Sequence, residues 1–218
     1  MRGHKIRLAA GVGIWCALFV ALAAPGFAST LSVGDVAPDF ALYEFGTEQE
    51  VNLYDFEDKI VLLEFFAYWG SPCRAASSEL ELKVQQYYEA LGGNASGVDV
   101  QLVSINIQAN AAASTQNYIN AYGLDVVLDD PQQEVYQAYG GVGVPQFALI
   151  NGAADTNFQQ WEILDMPLGF LSNSPDHDYR AFREVIESVQ RVPEPSTFVL
   201  LALGGTLLIG GSRLRHAG

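Results

Sequence analysis

Cysteine and histidine are scarce in this chain of 218 residues. It has two cysteines, Cys16 and Cys73, and three histidines, of which two lie near the ends of the chain. Structural zinc sites and iron–sulfur clusters usually take about four such ligands, so the sequence predicts no metal site and no cofactor. Only His177 could pair with Cys73, and its surroundings are more simply a loop that leads into a last helix.

Positive charge is scarce as well. All but one of the 25 acidic residues, but only six of the 11 lysines and arginines, lie between residues 29 and 191, which gives this part of the chain a net charge of about −18. Such a surface repels nucleic acid, which is therefore excluded as a partner. We interpret the acidic excess as a solvated surface and not as a specific cation site.

The N-terminus is typical of a secretory signal peptide. Three basic residues within the first seven positions precede an uncharged stretch from Leu8 to Gly34, and Gly26 and Ala28 place small residues where a signal peptidase requires them. We therefore predict a signal peptide over residues 1–28, whose removal would also remove Cys16. The alternative is an uncleaved membrane anchor.

The C-terminus, residues 192–218, predicts a sorting segment with a transmembrane helix. Pro193, Glu194 and Pro195 precede an apolar run, and the 18 uncharged residues between Glu194 and Arg213 would span roughly 27 Å as a helix, enough to cross a bilayer. This pattern resembles the PEP-CTERM sorting signal, which implies an exosortase-type protease as a partner. A plain C-terminal anchor is the alternative. Both interpretations predict an exported protein of the periplasm or cell surface, anchored in the membrane at least transiently.

A strand, a turn and a helix surround Cys73. The nearly continuous apolar run from Ile60 to Phe66 predicts a strand buried on both faces of a sheet. A helix-like run from Ala75 to Leu91 follows, and Cys73 lies at its start. Because helix N-termini stabilise a thiolate, this position predicts a lowered thiol pKa.

Strands and helices alternate along the rest of the chain. Phe40–Tyr43 and Glu50–Leu53 predict a hairpin, and Val98–Ile107 a second buried strand. The alternation after an initial hairpin predicts an α/β fold, a three-layer α/β/α sandwich.

Three segments between residues 29 and 191 resemble the thioredoxin-like superfamily, in its TlpA and AhpC/TSA redoxin types. They are Gly34–Phe40, the turn Trp69–Arg74 and the stretch Tyr139–Pro145. In the family the turn reads Trp-Cys-x-Pro-Cys-Arg, and this chain has Gly70 in place of the first cysteine. The resemblance implies a thioredoxin-like fold and an antioxidant or thiol-disulfide oxidoreductase that acts on protein thiols, protein disulfides or a small thiol.

The resemblance also implies roles for individual residues. Cys73 holds the resolving, usually buried position, so we expect it to react slowly with alkylating agents. Glu64 would be a buried carboxylate that exchanges protons with Cys73. From the strand pattern alone we slightly favour the alternative, in which Glu64 lies at the solvated edge of the strand. The substrate groove would comprise Trp69, Gly70, Pro72, Val144 and Pro145, with Pro145 in the cis form.

Three functions remain open at this point. The first is a thiol-disulfide redox protein with a degenerate active site that uses Cys73. The second is a redox-inactive module that binds extended peptides in the groove. The third is a structural protein of the cell surface or matrix, suggested by the sorting segment and the acidic surface. Gly70 argues against the first, because the attacking cysteine of the family is missing.

Overall fold

The fold is built on a seven-stranded mixed sheet. The computed structural model describes residues 30–192. The strands are β1 (Ala41–Glu44), β2 (Glu50–Asn52), β3 (Lys59–Phe66), β4 (Asp99–Asn106), β5 (Val126–Asp129), β6 (Gln146–Asn151) and β7 (Glu162–Asp165). Their order across the sheet is β2-β1-β5-β4-β3-β6-β7, in which β3, β4 and β5 are parallel and the outer strands pair antiparallel. The predicted hairpin is therefore confirmed as β1 and β2.

Helices connect the strands and cover the sheet. They are α1 (Ser71–Leu80), α2 (Gln86–Leu91), α3 (Ala112–Tyr122), α4 (Glu134–Ala138) and α5 (Tyr179–Ile186). A π-helical turn, Glu81–Gln85, joins α1 to α2, and a 3-10 helix, Leu53–Phe56, precedes β3. α1 begins at Ser71, four residues before the predicted start, because Gly70 caps it and Pro72, in its first turn, needs no intrahelical hydrogen bond.

Strand β3 separates two cores. Val61, Leu63 and Phe65 pack on one face with residues of α4 and of the 3-10 helix. Ile60 and Leu62 pack on the other face, beneath α1, α2 and α5. Because successive side chains of a strand point to opposite faces, a strand with buried apolar side chains on both faces implies helices on both sides. The predicted three-layer α/β/α sandwich is confirmed.

The π-helical turn ties the long α1–α2 run to α5. A wide π turn leaves main-chain carbonyl groups free of the usual helical hydrogen bonds. The carbonyl oxygen of Lys83 accepts a hydrogen bond of 2.7 Å from Arg183 Nε, and the Arg183 guanidinium lies 3.5 Å from the centre of the Tyr87 ring. The far end of the helix that carries Cys73 is thus fixed to its neighbour.

The two predicted terminal segments lie outside the described residues. Between residues 30 and 192 the longest helices are too short, and not apolar enough, to cross a membrane. The predicted signal peptide and C-terminal helix are therefore not part of this description. The predicted loop before the last helix is confirmed, since Asp178 caps α5 by accepting a hydrogen bond from the Arg180 amide. His177, in this loop, is exposed, whereas Cys73 is buried.

Candidate functional site

Gly70 occupies the turn between β3 and α1. Its φ of −69° and ψ of 116° are ordinary for any residue, so the backbone does not require glycine here. A Cβ atom placed on Gly70 would lie 2.7 Å from Cys73 Sγ and 3.4 Å from Cys73 Cβ. The Cys73 sulfur therefore points at the place where a side chain of residue 70 would begin, as the second sulfur of a disulfide would.

Cys73 itself is enclosed. It has no exposed surface and packs in a small apolar cluster with Phe66, Tyr118, Leu124 and Val127. The pKa of the Cys73 thiol is raised to about 11, mainly by burial and also by the nearby Glu64, while hydrogen bonding to the backbone at Ala67 acts in the opposite direction. The expectation that the helix N-terminus lowers this pKa is wrong, because loss of hydration outweighs the helix dipole.

Glu64 is fully buried in the middle of β3. The prediction from the sequence that it sits at the solvated margin of the strand is wrong, because α1 and α3 close over this face of the sheet. Its Oε1 accepts a hydrogen bond of 2.7 Å from Ser77 Oγ and its Oε2 accepts one of 3.2 Å from Ser104 Oγ. Burial raises the pKa of Glu64 to about 7, against the opposite effect of these two bonds. The carboxyl group therefore exchanges protons near neutral pH.

Sequence reasoning missed the groups that hold Glu64. Ser77 lies four residues after Cys73, on the same face of α1, and Ser104 stands directly opposite Glu64 in the register of β3 and β4. Tyr118 of α3 extends the network, since its hydroxyl lies 2.7 Å from Ser77 Oγ. The helical spacing could have indicated Ser77, but nothing in the local sequence indicates Tyr118.

The loop before β6 lies against the same cluster. The Val144–Pro145 peptide bond is cis, as predicted, and Val144 packs against the apolar cluster that contains Cys73. Pro145 is buried, and its carbonyl oxygen accepts a hydrogen bond from the Gly169 amide. The two predicted signatures, far apart in the sequence, therefore meet at Cys73.

Tyr136 supports this loop and was also missed. A Cβ atom on Gly141 would collide with the Tyr136 ring, so glycine is needed for the loop to pack on that ring. Burial raises the pKa of Tyr136, the backbone of Gly143 acts in the opposite direction, and Cys73 raises it. Tyr136 thus links the loop to the neighbourhood of the thiol.

Three exposed apolar side chains, which we call the apolar rim, lie on chain segments that flank the Cys73 cluster: Trp69, Val142 and Leu168. The Trp69 side chain is 57% exposed, although its Nε1 donates a hydrogen bond of 3.1 Å to Gln108 Oε1. In the loop before β6 and in the segment after β7, Val142 is 80% exposed and Leu168 54% exposed, and Leu168 Cδ1 would lie 3.7 Å from a Cβ atom on Gly143. Of the predicted groove residues, Trp69 and Pro72 are exposed and Val144 is half-buried, whereas Gly70 and Pro145 are buried. Their role as a substrate groove stays a prediction.

The described residues offer other features, which do not join this site. A cleft of about 1080 Å³ between the β1–β2 hairpin and the start of α4 is lined by apolar and acidic side chains and by no residue of the site. We take Cys73 as the candidate site, since the cleft is lined by no cysteine or histidine and its acidity follows that of the whole surface. Between residues 30 and 192, no three Cys, His, Asp or Glu side chains are grouped so that they could hold a metal ion.

Comparison with known proteins gives consistent matches. The sequence model of the AhpC/TSA family matches residues 33–204. The thiol-disulfide oxidoreductase ResA of Oceanobacillus iheyensis is 31% identical over 65% of this chain and 72% of its own length, and ResA of Geobacillus thermodenitrificans is 26% identical over 56% and 66%. A crystal structure of a thiol:disulfide interchange protein DsbE from Chlorobium tepidum has a TM-score of 0.55 and 28% identity, covering 73% of this chain and 95% of that one. The predicted thioredoxin-like α/β fold is confirmed.

We expect Cys73 to react slowly with iodoacetamide in the folded protein. With a pKa of about 11, about one molecule in ten thousand carries a thiolate at pH 7, and only the thiolate reacts. Mass spectrometry should show labelling at least about 100-fold slower than in urea, with a rate that rises as the pH approaches 11. Rapid labelling of the folded chain at neutral pH would contradict the enclosed, protonated thiol.

The variant Glu64→Gln should remove a pH dependence of stability. The pKa of Glu64 is raised from 4.5 to about 7 on folding, so the folded state binds more protons than the unfolded state in this range. Its free energy of unfolding should therefore fall by about 3 kcal/mol as the pH rises from 4.5 to 7. Denaturant unfolding at several pH values should show this slope in the wild type and in the surface control Glu89→Gln, but not in Glu64→Gln. Parallel curves for all three proteins would disprove the buried, titrating carboxyl.

Proposed function

The chain belongs to the AhpC/TSA family, and from that premise we propose that it is an exported thiol-disulfide redox protein that works through Cys73 alone. The observation that carries this proposal is the pairing of an inward-pointing thiol with a buried carboxyl. Glu64 raises the pKa of Cys73 and has a pKa of about 7 itself. Shifted titratable groups of this kind gather at functional sites, and burying a carboxyl has no evident use in a protein that only binds.

The proposed reaction uses a partner in place of the missing cysteine. As Cys73 attacks one sulfur of a partner disulfide, its proton passes to the Glu64 carboxylate. A bond forms between Cys73 and that sulfur, and the other sulfur leaves as a thiolate. A small thiol then attacks the mixed disulfide as its thiolate, its sulfur bonds to the partner sulfur, and Cys73 leaves as a thiolate that recovers the proton from Glu64. A second small thiolate attacks the first small-thiol sulfur, which forms the small-molecule disulfide and releases the partner thiolate, and the small thiols and partner thiolates exchange their protons with solvent. Because the first attack comes from a buried thiol of raised pKa, the cycle is slow.

The apolar rim would select the partner. Trp69, Val142 and Leu168 are exposed apolar side chains, and the backbone around Val144 is partly accessible. An extended, apolar protein segment that carries a disulfide suits such a surface. We therefore propose protein disulfides or thiols as the substrate class, with a small thiol as reductant.

A redox-inactive binding protein is the second candidate, and one observation favours it. Cys73 has no exposed surface, whereas the family's chemistry starts from an exposed cysteine, for which this chain has Gly70. Such a protein would keep the apolar rim to hold peptides and would use Cys73 only for packing. The missing exposed cysteine and the acidic surface would equally support a purely structural role at the cell surface.

We further propose that residues 1–28 are a cleaved signal peptide, that residues 29–191 form the functional domain and that residues 192–218 are a sorting segment recognised by an exosortase-type protease. The basic N-terminus, the Pro193–Glu194–Pro195 motif and the apolar run after it support this proposal.

Intact-mass analysis of the exported protein should find Ser29 as its first residue, and deletion of residues 192–218 should release the domain from the membrane fraction. Retention of Met1, or recovery in the cytoplasm, would refute it.

Insulin reduction with a small thiol as reductant separates the first two candidates. We expect slow turnover by the wild type, none above background by Cys73→Ser, and at least about 10-fold faster turnover by Gly70→Cys, because the attacking cysteine of the family is restored. Gly70→Ala is the matched control, since it adds the same Cβ atom beside Cys73 Sγ without a second sulfur.

Each outcome of this assay selects one candidate. Turnover that depends on Cys73 in the wild type supports the single-cysteine mechanism. If the wild type equals Cys73→Ser and only Gly70→Cys gains activity, the redox proposal is wrong and the natural protein is a binding or structural protein on an intact redox scaffold.

A further inference from the structure

Ser77 stands between two buried groups of different elements. Its Oγ lies 2.7 Å from Glu64 Oε1 on β3 and 2.7 Å from the Tyr118 hydroxyl on α3. Glu64 and Ser77 have no exposed surface, and Tyr118 is 4% exposed. Water therefore has little access to this line of three groups, and its hydrogen bonds must be arranged among the protein's own atoms.

The direction of these hydrogen bonds follows from the protons available. Burial raises the pKa of Tyr118 far above its usual value, so its hydroxyl keeps its proton at neutral pH. Among residues 30–192, Ser77 is the side chain to which that hydroxyl is hydrogen-bonded, and a carboxylate at Glu64 can only accept. The Tyr118 hydroxyl thus donates to Ser77 Oγ, and Ser77 donates its one proton to Glu64 Oε1.

Ser104 completes the arrangement from the neighbouring strand. Its Oγ donates to Glu64 Oε2 at 3.2 Å. Both carboxyl oxygens therefore accept from hydroxyl groups, which favours the charged form of a group whose surroundings otherwise favour the neutral form.

We infer that Ser77 and Tyr118 are positioning residues, which direct a one-way chain of hydrogen bonds at Glu64 and so keep a buried carboxyl able to take up and release a proton beside Cys73. This inference rests on the proposed role of Glu64 as the proton partner of Cys73. Without the chain, Glu64 would stay protonated through the neutral range and could not accept the proton of the thiol.

Several charged or titratable groups face Glu64, and their effects can be separated. Cys73 approaches from α1, Tyr118 from α3 and Glu81 from the π-helical turn. Burial has the largest effect on Glu64 and raises its pKa, and the charge of Glu81 raises it slightly, whereas the bonds from Ser77 and Ser104 lower it. The balance of about 7 therefore depends on the hydroxyl groups.

The test is an NMR titration of the Glu64 carboxyl in the full chain, with isotopically labelled glutamate. Glu64→Gln, which loses the signal, assigns it. Ser77→Ala should raise the titration midpoint by about one to two pH units, the size expected for loss of one hydrogen bond to a charged acceptor. Tyr118→Phe should raise it by less, because Ser77 can still donate but is no longer held in that direction.

Matched controls lie next to each position. Ser78→Ala removes an exposed hydroxyl of the same helix, and Tyr122→Phe removes one from the tyrosine that packs edge-on against Tyr118. Neither should move the midpoint. Ser77→Ala leaves the Tyr118 hydroxyl without its partner and could therefore fail to fold. In that case Tyr118→Phe serves as the test, since it leaves no buried donor unpaired.

The inference is overturned if Tyr118→Phe leaves the titration midpoint of Glu64 at the value of the control variants, or lowers it, and if Ser77→Ala does the same where it folds. The titration needs no substrate and no turnover. A wild type that fails to reduce insulin would therefore refute the proposed redox function while leaving this measurement interpretable, and an unmoved midpoint would refute the positioning role alone.

Discussion

The burial of one carboxyl group constrains the centre of this fold. Glu64 lies in the middle of the central strand without access to water, and an unpaired carboxyl there would cost several kcal/mol. Its hydrogen bonds come from Ser104 on the neighbouring strand and from Ser77 on the helix above. The register of β3 with β4 and the placement of α1 over the sheet are therefore tied to the same group that we propose takes part in the chemistry.

The glycine in the turn has a different significance. Its backbone conformation is open to any residue, but a Cβ atom there would lie 2.7 Å from Cys73 Sγ, so glycine leaves room for the sulfur in its present position. It also leaves the place next to Cys73 without a side chain and without a second sulfur. The scaffold of a two-cysteine site is thus retained with one of its two reacting atoms absent, and between residues 30 and 192 Cys73 has no second cysteine with which to form a disulfide.

Much of the fold could be predicted from the sequence, because its signals are local. The apolar run of β3, the hairpin and the segment before Pro145 each reflect a pattern of adjacent residues. Glu64 was misplaced because the pattern of one strand does not show which helices cover it. The pKa of Cys73 was predicted in the wrong direction for a related reason. The sequence shows that Cys73 lies at a helix N-terminus, but it does not show that the Tyr118 ring of α3 helps to enclose the thiol.

The bond between Arg183 and the π-helical turn has a consequence for how the thiol is reached. It ties the middle of the α1–α2 run to α5, which holds this run against its neighbour. Fraying of the first turn of α1, where the Arg74 amide is bonded to the Gly70 carbonyl, would expose Cys73 without moving that contact. Local opening of this kind requires less free energy than global unfolding. The reactivity of the thiol is thus governed by the frequency of a small backbone movement, and the rest of the domain stays folded while it occurs.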